Sequence, residues 1–88
     1  MDLIKTVEHI AFEGVVCQET KPFLDQYGGS LIFQSVGKGD YQLTIKLSNQ
    51  EVKGRILVKG MPSELANKYF LFSLHGLIAK AIADLHPL

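Results

Sequence analysis

Tyr41-Gln42-Leu43-Thr44-Ile45-Lys46-Leu47 alternates apolar and polar side chains without a break. A period of two marks a strand buried on one face and open on the other. Ser48-Asn49-Gln50-Glu51 follows as an expected four-residue hairpin loop, and Val52 to Lys59 reads as the returning strand. Upstream, Leu31-Ile32-Phe33-Gln34-Ser35-Val36 is a third strand, joined through Gly37-Lys38-Gly39-Asp40. Glycine supplies the positive φ of a tight turn. Residues 37–39 therefore read as a hairpin turn, lacking the strand-to-helix setting of a phosphate loop. A meander of three antiparallel strands is the simplest arrangement.

Helices flank the meander. Leu3, Ile4, Val7, Ile10 and Ala11 share one arc of a helix over residues 2–13, with Lys5, Glu8, His9 and Glu13 opposite. It ends at Gly14 or continues to about Thr20, where Pro22 turns the chain from helical geometry. Phe23, Leu24 and Tyr27 suit one or two further turns, closed by Gly28-Gly29. After the strands, Gly60-Met61-Pro62-Ser63 launches a long helix to about Leu85, and Pro87 prevents its continuation. The expected fold class is α+β in α-βββ-α order. The long C-terminal helix lies on one face of the sheet, with the N-terminal helix nearby. Eighty-eight residues make a single domain, 1–88, with a thin core.

The α-βββ-α order resembles the double-stranded RNA-binding domain in topology alone. That family grips phosphates with a lysine cluster at the start of its last helix. The matching stretch here, residues 62–68, offers Lys68 beside Glu64, so the resemblance implies no RNA contact.

Composition narrows the classes further. Apolar residues make up 47% and charged residues 20%, which is globular rather than disordered. The formal net charge is zero, so no bulk field draws the chain to nucleic acid or anionic lipid. The charge is unevenly spread: residues 1–30 hold two lysines against five carboxylates, and residues 31–60 hold five cations against two. Cys17 stands alone, which excludes an internal disulfide and favours a reducing compartment; it reads as a small buried hydrophobe. Asp2, Lys5 and Glu8 interrupt any signal-peptide run, and the apolar stretch Tyr69 to Ala83 is too short for a membrane span. The expected location is cytoplasmic, with no membrane partner.

Two surfaces exceed what a lone fold needs. Pairing Leu47 with Val52 sets Ile45 against Gly54, Leu43 against Ile56 and Tyr41 against Val58 on the core face. The other face then sets Lys46 against Lys53, Thr44 against Arg55 and Gln42 against Leu57, with Lys59 beyond. Opposed lysines either splay into water, where exposed charges interact weakly, or take an anion between them. It would be a carboxylate of the N-terminal helix (Glu8, Glu13 or Glu19), a partner's carboxylate, or a phosphate. Lys46, Lys53, Arg55 and Lys59 are thus candidate contacts for nucleic acid or another polyanion. One apolar pair of the first strand, Leu31/Phe33 or Ile32/Val36, must share this face.

The C-terminal helix holds the second surplus. Phe70, Leu71, Leu74, Leu77, Ile78, Ala81, Ile82 and Leu85 form a broad sheet-facing arc. Roughly opposite runs a second stripe: Leu65, Tyr69, Phe72, Gly76, Ala79 and Ala83. Either the N-terminal helix covers it, or another subunit does; the twofold homodimer is the commonest closed assembly. No catalytic constellation emerges. Spacing does not bring Cys17 to a histidine, and His75 and His86 lie about 16 Å apart along a helix, too far to share a metal. No catalytic residue, metal ligand or cofactor is assigned. The expected role is a non-enzymatic interaction or regulatory module, homodimeric or bound to another protein. Polyanion binding through the basic strands is the alternative.

Overall fold

The computed structural model describes residues 6–47 and 49–85, and its first element is helix α1, Val7–Tyr27. The expected helix residues Leu3 and Ile4, the loop residue Ser48, and the terminal His86 and Pro87 lie outside the described residues. Thr6 caps α1: its hydroxyl accepts a hydrogen bond from the His9 N–H at 3.0 Å, satisfying one orphan donor of the first turn. Gly28 ends it at φ 68, a left-handed cap, and its N–H returns to the Leu24 carbonyl at 2.8 Å.

The break expected before Pro22 does not occur. Proline at that position removes only the hydrogen bond to the Gln18 carbonyl. Both residues are solvent-exposed, so water can serve that carbonyl. On the covered side the helix continues, with the Thr20 hydroxyl donating to the Val16 carbonyl at 2.7 Å.

A continuous α1 also turns a different face inward. His9, Phe12, Val16, Thr20 and Phe23 are buried, whereas Val7 is 85% and Ile10 56% exposed. Val7, Ile10 and Ala11, the described part of the arc read from residues 2–13, are thus exposed. Over 21 residues the Phe12–Val16–Phe23 stripe carries more apolar volume than Val7, Ile10 and Ala11, and burial follows apolar area.

Three strands follow: β1 Ser30–Gly37, β2 Asp40–Leu47 and β3 Gln50–Leu57, antiparallel in the order β1-β2-β3. Leu31 pairs with Ile45 and Phe33 with Leu43, so these two side chains join the core face and Ile32 takes the other, while Val36 falls at the register shift between Ser35 and Gly37. The β1–β2 connection is tight. Gly39 sits at φ 65, and a Cβ there would stand 2.9 Å from the Lys59 Cα. Its carbonyl accepts the Val58 N–H at 2.8 Å.

The β2–β3 hairpin differs from expectation by two residues. Leu47 faces Gln50, Ile45 faces Val52, Leu43 faces Gly54 and Tyr41 faces Ile56. The ladder closes at Leu47 and Gln50, so only two positions separate the paired strands. A shift of two preserves the faces but changes every opposite number. Lys46 therefore faces Glu51 rather than Lys53, and Thr44 faces Lys53.

Helix α2, Ser63–Leu85, closes the fold. Ala66, Phe70, Leu74 and Ala81 are buried, with Leu77, Ile78 and Leu85 packed against the same core. Leu71 and Ile82, expected within this arc, lie at its margin and are more than a third exposed. α2 crosses β3 at Gly54, where an added Cβ would stand 2.2 Å from a Leu77 methyl. Both helices lie on one sheet face. Phe12 stacks on Phe70 with ring centres 4.0 Å apart, and Phe12, Phe70 and Phe33 all contact the Tyr41 ring. The molecule is a two-layer α+β sandwich of α-βββ-α order.

Candidate interaction surface

With both helices on one face, the other sheet face carries no helix. α1 does not cover the basic strands, and its carboxylates are engaged elsewhere. Glu8 accepts the Tyr41 hydroxyl at 2.5 Å, and burial together with that carboxylate pushes the Tyr41 phenol up to about 12. Glu19 meets His75 of α2 at 2.5 Å, tying the two helices across their exposed seam. Glu13 Oε2 lies 3.8 Å from His9 Nε2, beyond hydrogen-bond range. His9 is itself buried edge-on against Phe33 and Tyr41.

The strands supply the anions that the basic face needs. Arg55 donates twice to Asp40, Nε to Oδ1 at 2.9 Å and Nη2 to Oδ2 at 2.7 Å, and this fork holds the Asp40 carboxyl below its ordinary range. Lys53 lies 3.2 Å from Glu51 on its own strand. Lys46, Lys53, Arg55 and Lys59 are all exposed; β-alternation places the first three on the same open face, and Lys59 lies in the turn beyond β3. Three cations with two carboxylates among them offer a polyanion much less than bare cations would. The separation of Asp40 from Arg55 by fifteen residues hid this pairing from a reading of strand neighbours.

On α2 the second stripe is open along its whole length. Leu65, Tyr69, Phe72, Gly76, Ala79 and Ala83 are each exposed, and Phe72 reaches 78%. α1 does not cover it, because α1 packs on the other flank of α2. There Ala11, Phe12 and Val15 meet Asn67, Phe70 and Leu71 around a groove of about 340 Å³. Nothing in the chain lies within 4 Å of a Cβ built on Gly76, so the stripe is accessible down to the backbone.

Cys17 is exposed, contrary to the buried hydrophobe expected of it. It faces outward because α1 turns the His9–Phe12–Val16 side inward. Two helical turns separate it from His9, which is on the buried side. Among the described residues no group of three or more His, Cys, Asp or Glu is placed to hold a metal ion. No helix among them is long and apolar enough to cross a membrane. Comparison with known proteins finds no matching family model, no matching curated protein and no matching solved structure.

Proposed function

We propose that the protein is a non-enzymatic interaction or regulatory module that pairs with a second copy of itself through the outer stripe of α2. The observation carrying this reading is the exposure of all six residues, Leu65, Tyr69, Phe72, Gly76, Ala79 and Ala83, on a helix already packed on its opposite side. Burying a side chain the size of Phe72 is worth about 2 kcal/mol, and a twofold interface buries each residue twice. Gly76, Ala79 and Ala83 sit where two crossing helices approach most closely, and small residues permit that approach. The ion pairs of Arg55 with Asp40 and of Lys53 with Glu51 weigh against the polyanion alternative.

A covalent trap tests the geometry. In a Cys17→Ser background, Ala79→Cys places one thiol per chain near the twofold axis. Mild oxidation should link two chains rapidly, because a disulfide needs Cα atoms about 5.5–6 Å apart. The same thiol moved to an exposed site off the stripe, as Asp25→Cys, should link slowly. Equal rates at both positions would contradict the proposed interface.

A further inference from the structure

The helix layer is wider than the sheet beneath it. Packed helices stand about 8–10 Å apart and strands about 4.8 Å, so two helices cover roughly four strands. This sheet has three. Burial shows on which side the shortfall lies. The core-facing residues at β3 and just beyond it, Val52, Ile56 and Val58, are fully covered although β3 is an edge strand. At the opposite edge Leu31 and Phe33 are only partly buried. α2 thus covers the β3 edge closely, while α1 leaves the β1 edge partly open.

That position also offers hydrogen bonds. The Val58 N–H points back to Gly39, at the start of β2, which fixes the parity along β3. Antiparallel alternation then directs the N–H and C=O groups of Glu51, Lys53, Arg55 and Leu57 away from β2, along the open edge. Among the described residues no strand pairs with them. The β2–β3 ladder runs without a bulge, and β3 contains no proline. β1, by contrast, shifts register between Ser35 and Gly37, one of the devices that blunt an edge.

We propose that the edge of β3 accepts a fourth strand, an extended segment of a partner protein that alternates apolar with acidic side chains. The apolar side chains would extend the core face beside Gly54 of β3, where Leu77 of α2 already packs. The acidic ones would lie on the outer sheet face, where Lys46, Lys53 and Arg55 outnumber Asp40 and Glu51. A second copy is a poor occupant. Pairing β3 with its twofold mate would bring the two α2 axes within about 5 Å, closer than helices pack.

This inference rests on the open edge rather than on the α2 stripe, so the two proposals fail separately. The probes are synthetic peptides of about eight residues, the length of β3, alternating valine with glutamate or valine with lysine. Amide chemical shifts of the isotope-labelled protein report the contact. The glutamate peptide should shift and protect from exchange the amides of Glu51, Lys53, Arg55 and Leu57, and should bind about tenfold tighter than the lysine peptide. Lys53→Pro removes an outward N–H without touching the ladder to β2, and should abolish binding. Lys53→Gln should retain it, and so should Ala79→Glu, which targets the dimer. Slowed exchange of the edge amides in the wild-type protein remains decisive even if Lys53→Pro fails to fold. Absence of edge shifts at millimolar glutamate peptide would overturn the proposal. So would equal binding of the lysine peptide, undiminished binding to a folded Lys53→Pro, or edge shifts that track protein concentration without peptide.

Discussion

Tyr41 shows how one residue joins three elements. Its ring lies among Phe12, Phe33 and Phe70, and its hydroxyl reaches out to Glu8 on α1. The folded chain holds the phenol proton to about 12, against an ordinary value near 10. The unfolded chain releases it first as pH rises, so stability is complete below about pH 10 and falls as pH passes through 10 toward 12. The gap is worth about 2–3 kcal/mol. Urea denaturation across that window should therefore show a steeper loss in the wild-type protein than in Tyr41→Phe; parallel curves would remove the buried phenol from the account. That Tyr41 belongs to the core is legible from its place in the β2 alternation. Its link to Glu8 is not, because α1 meets Tyr41 through Phe12 and also through His9, a polar type that pattern reading sends outward.

At the scale of elements, the strands were legible and their partners less so. Alternation identifies which side of β2 is buried however the hairpin closes. It does not distinguish a two-residue from a four-residue loop, since both keep Leu43 and Ile45 on the same face. That ambiguity turned an opposite-charge neighbour of Lys46, Glu51, into an apparent clash with Lys53. The outward face of α1 was misread for a related reason: a window ending at Gly14 never weighs Val16, Thr20 and Phe23 together. The seat of α2 on β3 offers the sharpest test of element packing. Gly54→Val inserts a branched side chain where Leu77 already touches the strand, and should cost about 1–3 kcal/mol in chemical denaturation. Leu77→Ala opens that space, so the double variant should lose less than the two single variants combined. Strict additivity would mean that Leu77 does not press on Gly54.

The whole molecule, a sandwich of two helices on three strands, leaves the outer stripe of α2 and the edge of β3 uncovered among the described residues, and the proposed partner contacts would cover them. The second α2 stripe was legible in the sequence because apolar residues recur at helical spacing on two sides of α2. Its exposure became clear only with α1 placed on the other flank, through Phe12 on Phe70 and Glu19 on His75. Net charge concealed the basic face, since its cations cancel against acids of which four lie on α1 and two on α2, in the other layer. The most direct measurement is the molar mass by light scattering over a concentration series, for the wild-type protein and for Ala79→Glu. The account predicts twice the chain mass for the wild type at micromolar concentration. Ala79→Glu should move toward a single chain at unchanged helix content, because it drives an unpaired charge into the interface at a cost of several kcal/mol. A wild type that stays at one chain mass into the high micromolar range would contradict the account, as would an Ala79→Glu variant that dimerises as well as the parent.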